Sequence, residues 1–460
     1  MTERFRRLPR RAARIGLRPA RAVANRLRMR RARLLAARVP HRERRVGWID
    51  VVMPVRDVAD YVDESIRSVL SQSHWRVNLV VVDDDSADDT ARRVQRWVER
   101  DSRVRLLSTV SHDPNAARNL ALAQTDAEFL AFLDGDDVLL EHAYRDLHRR
   151  LAASGSDFIA GSYDRLADGV RTPAAFWIGD AHAIDHDATT AERSPAMLVN
   201  AVQWSKLYRR SFWDAEQLAF PEGGHFNDQI VSARAYAAAS AFDVMRRPVV
   251  SWRVRSDGSS MTQQLVSPAQ IADRFRTSNA ALAVLAAEGS PALARHRRVQ
   301  FLENDLGIAA GRLPDMGDEA YGVLRDGLAA FVPATDEAEI RRLVPSAMKV
   351  LFHLVMSDDR ASAEAFIQRG GLDLLRHRPV SIGGRVHVRL PFWDDAAAGV
   401  PVECFEASPR DLRFLREAGL LETCEVLQSP PARVPGPVTR ELEQMLDAAA
   451  SETEAAPASV

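Results

Sequence analysis

The chain has 460 residues, 46% of them hydrophobic and 27% charged, with a formal net charge of -1 at pH 7. This length predicts two or three domains, and the composition is that of a globular protein. The two cysteines, Cys404 and Cys424, exclude a disulfide scaffold. Because no apolar run approaches the roughly 18 residues of a membrane span and no secretory signal is present, we expect a cytoplasmic protein.

Residues 1–45 are rich in arginine, and their only acids are Glu3 and Glu43. Aliphatic residues alternate with the arginines, which predicts a basic amphipathic helix, broken near Pro19, on an anionic membrane surface. We therefore expect a peripheral location at the inner face of the plasma membrane. A flexible tail and a nucleic-acid-binding arm are the alternatives, the latter disfavoured because Phe5 is the segment's only aromatic residue.

Strand and helix patterns alternate from Trp48 to Ala160. Apolar runs predict strands over 48–55, 77–82, 104–107, 129–133 and 157–160, and helical spacing predicts helices over 63–72, 89–100 and 116–123. This alternation is typical of an α/β fold with a doubly wound, mostly parallel sheet.

Two of these strands end in clusters of carboxylates. Asp83, Asp84 and Asp85 follow one strand, and the segment Asp134-Gly135-Asp136-Asp137 follows another. The carboxyl ends of neighbouring parallel strands meet at the edge where open α/β sheets bind ligands. Closely spaced carboxylates favour a hard divalent cation, Mg²⁺ or Mn²⁺, which usually bridges protein oxygens to substrate phosphates. A solvated acidic turn is the alternative.

Four segments, in order, resemble family 2 inverting glycosyltransferases of the GT-A fold: Val51–Val55, Val81–Thr90, Ala116–Asn119 and Phe132–Asp137. The resemblance implies a nucleotide-sugar site formed by Pro54, Asp84, Arg118 and Asp134, with Asp136 binding the metal ion on the diphosphate.

The sequence departs from the family pattern at three of these positions. Arg56 and Asp57 replace a usual Tyr-Asn pair, and Asp85 replaces a usual glycine. Asp tolerates the left-handed conformation that such a turn requires better than most residues do.

The segment Phe220–Gln229 precedes an alanine-rich helix predicted over 230–239. Inverting transfer needs a carboxylate that takes the proton of the acceptor hydroxyl. The family places a Glu-Asp pair here, whereas this chain has Asn227-Asp228, so Asp228 is the candidate base and a helix N-cap is its alternative role. Asn227 also supports a second hypothesis, a catalytically impaired nucleotide-sugar-binding or scaffold protein.

Further residues are assigned by resemblance alone. Lys206, in a Lys-Leu-Tyr segment, is expected on the acceptor side, and Arg255 with Ser259 or Ser260 is expected at the diphosphate. A surface lysine and a surface loop are the alternatives. Residues 162–195 are predicted to be loop-rich, so that His182, Asp185 and His186 are solvated rather than metal ligands.

The predicted domains are a basic segment 1–45, a GT-A domain 46–265, a helical domain 266–376, a small mixed α/β segment 377–428 and a flexible tail 429–460. The predicted helical part, with its segment Phe301–Leu306, distantly resembles bacterial enzymes that glycosylate wall teichoic acids. We expect a metal-dependent enzyme that moves a sugar, hexosyl or N-acetylhexosaminyl, from a nucleoside diphosphate, UDP by preference, to a hydroxyl of a cell-envelope polymer or lipid-linked precursor. Nucleic acid is not an expected partner.

Overall fold

The structure, a computed structural model, describes residues 44–255, 266–332 and 337–431. Residues 1–43 of the predicted basic segment, Ser259 and Ser260, and most of the predicted tail lie outside the described residues. Within the described ranges, no helix combines the length and apolar character needed to cross a bilayer.

A ten-stranded sheet forms the first part of the fold. Its strands are β1 (Arg45–Val55), β2 (Val77–Asp84), β3 (Val104–Thr109), β4 (Ala127–Phe132), β5 (Val138–Leu139), β6 (Phe158–Ala167), β7 (Val170–Pro173), β8 (His186–Thr189), β9 (Lys206–Arg209) and β10 (Phe242–Arg253). The strand order is β3-β2-β1-β4-β9-β6-β10-β5, with β7 beside β6 and β8 beside β10. Strands β3, β2, β1 and β4 are mutually parallel, as predicted, and β9 is antiparallel to both of its neighbours.

Helices cover both faces of this sheet. They are α1 (Ala59–Leu70), α2 (Thr90–Arg100), α3 (Pro114–Leu122), α4 (Ala143–Ser154), α5 (Phe176–Ala181), α6 (Arg210–Ala215) and α7 (Asp228–Ala238). Alternate residues of β1 enter two hydrophobic clusters, because successive strand side chains point to opposite faces. Val51 and Met53 pack with Ile66 of α1, whereas Val52 packs in the cluster that contains Ala117 of α3 and Val231 of α7.

Residues 162–195 are more regular than the sequence predicts. Strand β6 continues to Ala167 and pairs with β7, and α5 and β8 follow. His182 is not solvated: it is buried, its Nδ1 lies 3.0 Å from the carbonyl oxygen of Met245, and its Nε2 lies 2.9 Å from Nδ2 of Asn200. Burial lowers the pKa of His182 to about 4, so this residue is a neutral part of the core.

The prediction of an appended helical region is confirmed. Its helices are α8 (Pro268–Val284), α9 (Pro291–Gln300), α10 (Leu306–Ala310), α11 (Asp318–Phe331), α12 (Glu337–Leu343), α13 (Ser346–Met356) and α14 (Arg360–Gln368). A π-helical turn, Phe301–Asp305, joins α9 to α10. Such turns are rare and often occur near functional sites.

A small three-stranded sheet follows, made of β11 (Pro379–Ile382), β12 (Arg385–Val388) and β13 (Glu425–Leu427). Between β12 and β13 lies α15 (Pro409–Glu417), whose N-cap is Ser408. The Ser408 hydroxyl accepts a hydrogen bond from the backbone N–H of Asp411, whose carboxylate accepts one from the N–H of Ser408. This reciprocal pair satisfies two N–H groups of the first helical turn.

Helix α15 connects the C-terminal sheet with two other parts of the fold. Arg410 Nη1 donates to Oε2 of Glu303 at 2.9 Å and to Oδ1 of Asn304 at 3.2 Å. The same guanidinium lies 4.2 Å from the ring centre of Phe176, and Arg413 donates to Asp180 at 2.6 Å. The helix therefore contacts both α5 and the π-helical turn.

Candidate active site

The two acidic motifs lie at the carboxyl edge of the parallel strands, as predicted from the sequence. The turn Asp134–Asp137 follows β4, and its glycine is required sterically. A Cβ at Gly135 would lie 2.5 Å from Cγ1 of Val55 and 3.3 Å from the carbonyl oxygen of Pro54. The close packing of this turn on the end of β1 therefore fixes the direction of the neighbouring carboxylates.

Arg118 joins the α3 motif to this turn. Its Nη2 donates to Oδ1 of Asp134 at 2.6 Å, its Nη1 donates to Oδ1 of Asn115 at 3.2 Å, and its guanidinium lies 5.3 Å from the ring centre of Phe220. A half-buried charge-assisted pair of this kind is held more firmly than a surface ion pair. Two residues predicted for nucleotide-sugar binding are thus in direct contact.

Arg255 and Arg253 hold the other two carboxylates of the turn. Arg255 donates to Oδ2 of Asp136 from Nε at 2.9 Å and from Nη2 at 2.7 Å. The backbone N–H of Arg253 donates to Oδ1 of Asp137 at 2.8 Å, and its Nε donates to the carbonyl oxygen of Asp136 at 2.7 Å. The turn is therefore not the solvated acidic loop of the alternative interpretation.

The chemistry of this turn suits a divalent cation. Burial raises the pKa of Asp137 well above its usual range, and the charges of Asp136 and Asp134 raise it further. Burial also raises the pKa of Asp136, against the charge of Arg255. Oδ2 of Asp137 is buried and accepts no hydrogen bond. Carboxylate oxygens that are crowded, desolvated and partly unpaired fit Mg²⁺ or Mn²⁺.

The same residues do not form a closed protein cage. Among the described residues, no group of three His, Cys, Asp or Glu side chains is arranged to hold a metal ion. Mg²⁺ typically binds to one or two carboxylates together with the substrate's phosphates. A site completed by a bound diphosphate fits this arrangement.

Asp84 and Pro54 lie at the ends of β2 and β1. Both oxygens of Asp84 are engaged by one loop, because Oδ1 accepts from the N–H of His112 at 2.9 Å and Oδ2 from the N–H of Asp113 at 2.8 Å. Asp84 therefore shapes the loop beside the expected base pocket, and its contact with a base stays a prediction. Asp85 has φ of 57°, the left-handed conformation that the sequence required.

Asp228 is the first residue of α7 and is only half-buried. It is not the N-cap: that position belongs to Asn227, and Asp228 Oδ1 accepts from the N–H of its neighbour Gln229 at 3.0 Å. Burial raises the pKa of Asp228 to about 6, against the lowering effect of the Arg118 and Lys206 charges. Since Arg118 also binds Asp134, the candidate base lies beside the donor motif.

Asn227 has a structural role that glutamate could not reproduce. Its Nδ2 donates to the carbonyl oxygens of Pro221 at 3.0 Å and Gly223 at 2.7 Å, and its Oδ1 accepts from Arg276 at 3.1 Å. A carboxylate has no proton to donate to the two carbonyls. Asn227, which departs from the family pattern, therefore stabilises the loop that precedes α7.

Lys206 is buried. It is therefore not the surface lysine of the alternative interpretation. It is 1% exposed, and its Nζ donates to the carbonyl oxygens of Asn200, at 2.8 Å, and Val202. Burial lowers the pKa of Lys206 to about 7, whereas the charge of Asp228 raises it. A neighbour, Gln203, donates to the carbonyl oxygen of Asp228 at 3.2 Å, so this loop supports the start of α7.

These charges predict the pH dependence of the reaction. A base with a pKa of about 6 must be ionised, so activity should fall below about pH 6 as Asp228 takes up a proton. In Lys206→Met the cation that favours the Asp228 carboxylate is lost, so the acidic limb should move up by about 1 pH unit. The pH profile of kcat/KM measures this shift. An unchanged limb in a variant with normal thermal stability would contradict the coupling.

The sequence analysis assigned no role to Asn119, which the structure shows to be important for the site. Asn119, the neighbour of Arg118, accepts from the N–H of Phe220 at 3.0 Å and donates to its carbonyl oxygen at 2.8 Å. The loop that carries Asn227 and Asp228 is thereby fixed to the donor motif. The only signal for this role was the position of Asn119 inside the quoted motif.

Comparison with known proteins relates the chain to one family. Residues 50–194 match the family model described as glycosyl transferase family 2. The chain is 26% identical over 219 residues to the putative glycosyltransferase EpsH of Bacillus subtilis, which covers 45% of this chain and 60% of EpsH. It is 23% identical over 315 residues to the poly(ribitol-phosphate) beta-N-acetylglucosaminyltransferase TarS of Staphylococcus aureus, which covers 67% of this chain and 53% of TarS. The matches thus span less than two thirds of either relative.

A solved structure shares the fold. The crystal structure of S. aureus TarS 1-349 in complex with UDP-GlcNAc superposes with a TM-score of 0.59 at 21% identity, covering 75% of this chain and 97% of that one. The family resemblance inferred from the four motifs and the predicted fold are both confirmed.

Proposed function

We propose that this chain, whose residues 50–194 match the family 2 model, is an inverting, metal-dependent glycosyltransferase. It transfers a sugar from a nucleoside-diphosphate sugar, preferably a UDP-sugar, to a hydroxyl of a cell-envelope polymer or of its lipid-linked precursor. The observation that carries this proposal is the contact of Arg118 with Asp134 while its charge also acts on Asp228. Arg118 thus links the donor motif to the candidate base, and its neighbour Asn119 holds the loop that leads to Asp228.

Asp228 has the properties of a general base. In an inverting displacement the acceptor hydroxyl attacks the anomeric carbon from the side opposite the leaving diphosphate, and a carboxylate removes its proton. A pKa of about 6 leaves Asp228 ionised at neutral pH yet more basic than a solvated aspartate. Its placement on α7, supported by Gln203 and by the loop of Asn227, holds the carboxylate in one position.

Arg118, Arg255 and the carboxylates Asp134 and Asp136 surround the expected diphosphate. A divalent ion held by Asp136 would neutralise the charge that gathers on the leaving group. Arg255 binds Asp136 directly, which supports a role for Arg255 at the diphosphate, next to the ion that Asp136 would hold. The TarS crystal structure supports this donor assignment. It contains UDP-GlcNAc, and this chain shares the fold of TarS.

The acceptor and the location are proposed from two features. The name of TarS describes transfer to poly(ribitol-phosphate), which supports an envelope polymer as acceptor. The arginine-rich residues 1–45 would hold the protein at an anionic membrane surface, where such polymers are built.

The alternative, a binding or scaffold protein, depended on the missing glutamate at Asn227. The hydrogen bonds of Asn227 to Pro221 and Gly223 give this residue a structural role that is compatible with catalysis. We therefore expect Asn227→Glu to lower kcat/KM by about 10-fold, because two loop hydrogen bonds are lost, although it restores the family's residue. A rise in transfer rate in this variant would instead support the impaired-enzyme hypothesis.

Turnover tests the proposal directly. Purified protein with Mn²⁺ should be offered a panel of nucleotide sugars, and nucleoside diphosphate release should be measured with and without a bacterial wall-polymer extract. Release that requires both metal and extract supports the transferase. Tight donor binding without release under any pairing would support the binding protein.

A further inference from the structure

An exposed cluster of aromatic and basic side chains lies at the amino-terminal edge of the parallel strands, where β1 begins. The rings of Trp48 and Trp75 are in edge-to-face contact, with their centres 5.8 Å apart. The guanidinium carbon of Arg45 lies 4.0 Å from the ring centre of Trp48, and that of Arg76 lies 5.3 Å from the ring centre of Trp75. Val46 is 75% exposed and Trp75 is 61% exposed. We call these five residues the tryptophan-arginine patch.

Two backbone segments support this patch, the start of β1 and the loop before β2. The N–H of Ile49 donates to the carbonyl oxygen of Arg76 at 2.9 Å, and Nε2 of His74 lies 3.0 Å from the carbonyl oxygen of Gly47. Gly47 has φ of 70°, a conformation that favours glycine, and a Cβ there would lie 3.1 Å from Nη1 of Arg76. The exposure of Trp75 is therefore a property of a hydrogen-bonded structure. Contiguous exposed apolar side chains of this kind often mark an interaction surface.

The patch carries positive charge that no carboxylate balances. Within the part of the chain that the structure describes, neither Arg45 nor Arg76 forms an ion pair. Two carboxylates at the same edge of the sheet are already engaged. Glu128 accepts a backbone hydrogen bond from the start of β1 at 2.7 Å, and Asp101 is paired with Arg103 at 2.7 Å. The patch therefore favours a partner that is negatively charged.

An anionic lipid surface matches both properties of the patch. Tryptophan rings favour the headgroup level of a bilayer, and arginine side chains are attracted to anionic headgroups. The arginine-rich residues 1–43, whose only acids are Glu3 and Glu43, join the described chain directly before the patch. Like charge disfavours contact between that segment and the patch, whereas one anionic surface attracts both. We propose that the tryptophan-arginine patch docks on an anionic lipid bilayer. This inference extends the membrane location of the proposed function to the folded part of the chain and rests on that location.

Docking through the patch determines which way the candidate active site faces. Strand β1 begins in the patch and ends at Val55, beside the turn that carries the candidate metal ligand. From Trp48 to Pro54 the strand spans about 20 Å, at about 3.3 Å per residue. The candidate active site therefore lies at the opposite edge of the sheet and is directed away from the bilayer.

Binding of the full chain to lipid vesicles tests the inference. Vesicles of phosphatidylcholine alone are compared, by sedimentation, with vesicles that also contain phosphatidylglycerol. We expect binding to the anionic vesicles only, with a partition coefficient that falls about fivefold in Arg76→Gln and about 10-fold in Trp75→Ala. Brominated lipids should quench the tryptophan fluorescence of the bound protein, and Trp75→Phe should lose most of this quenching. Residues 1–43 contain no tryptophan, so the quenching reports on the folded part of the chain.

Two valines at opposite edges of the sheet provide a matched control. Val46 is 75% exposed and Val110 is 74% exposed, but Val110 directly follows β3, at the carboxyl edge that carries the candidate active site. Val46→Ser should weaken vesicle binding, whereas Val110→Ser should bind like the unchanged protein. If Val110→Ser weakens binding and Val46→Ser does not, the opposite edge faces the bilayer and the inference is overturned.

Further readouts separate the possible failures. In the lipid-free protein, acrylamide should quench Trp75, measured as the difference from Trp75→Phe. A shielded Trp75 would mean that another part of the chain or a second copy covers the patch, which overturns the inference. If Trp75→Ala lowers the melting temperature, Arg76→Gln and Val46→Ser decide the outcome. Absence of vesicle binding by the unchanged protein would count against the membrane location itself. Vesicle binding that ignores all patch variants, without quenching by brominated lipid, would count against the patch alone.

Discussion

Asp228→Asn should lower the rate of sugar transfer by about 100- to 10,000-fold, the usual contribution of a positioned general base. The amide keeps the shape of the side chain and can still accept the hydrogen bond from the N–H of Gln229, so α7 should keep its start. Its loss of basicity removes proton abstraction from the acceptor hydroxyl. Initial rates with saturating donor and acceptor measure the effect.

The donor affinity of this variant separates catalysis from folding. We expect UDP affinity within about twofold of the unchanged protein, since the proposed function places Asp228 on the acceptor side and not at the diphosphate. Asp214→Asn is a suitable control, because Asp214 is paired with Arg210 at the opposite edge of the sheet, where Arg210 also contacts the carbonyl oxygen of Thr125. An Asp228→Asn enzyme that retains more than a tenth of the activity would exclude Asp228 as the base.

Asp136→Asn should have the second largest effect. If Asp136 holds the divalent ion on the diphosphate, transfer should fall about 100-fold or more, because the leaving group loses its charge stabilisation. The enhancement of UDP affinity by Mn²⁺ should disappear together with the activity. Titrations of UDP with and without Mn²⁺ measure this enhancement independently of turnover.

The control must show that a lost ion pair is not the cause. Asp136→Asn also removes the carboxylate that Arg255 binds, so Arg255→Gln breaks the same pair while keeping Asp136. Metal-enhanced UDP binding should survive in Arg255→Gln, with weaker affinity overall. If both variants lose the enhancement equally, the ion pair rather than Asp136 alone maintains the metal site.

The predictable parts of the fold were those with local signals. Strands β1, β2 and β4 contain apolar runs buried on both faces, so their type and order could be predicted from sequence. The Ser408-Pro409 pair is an equally local signal for the start of a helix. By contrast, β6 carries polar residues such as Ser162 and Asp164 and is defined by pairing with β10, more than 80 residues later. The polar residues of β6 interrupt the apolar pattern by which β1, β2 and β4 could be recognised.

Strand β10 was also predicted incompletely. The sequence on either side of Pro248 carries two separate strand patterns, over 242–245 and 249–255, but the chain forms a single strand whose register shifts at that proline. Proline cannot donate a ladder hydrogen bond, and a local irregularity accommodates it within the strand. Arg45, assigned to the basic segment, is the first residue of β1.

The residues of the candidate site could be proposed from the sequence, but the residues that orient them could not. Asp228, Arg118 and Asp136 were named from their chemistry and motif positions, and their roles stay predictions. The residues that orient them act over long separations: Asn119 binds the backbone of Phe220, and Arg253 binds that of Asp136. Burial of Lys206 was also invisible, since its partners are backbone carbonyls.

The contact of α15 with the π-helical turn has a consequence for how such enzymes diversify. Arg410 holds Glu303 and Asn304, which directly precede Asp305, and Asp305 in turn fixes Arg297 against Gln229 beside the candidate base. Helix α15 thus supports the segment that holds Gln229, the neighbour of the candidate base. Under the proposed function, we expect substitutions in α15 to alter acceptor selectivity while every candidate site residue stays unchanged.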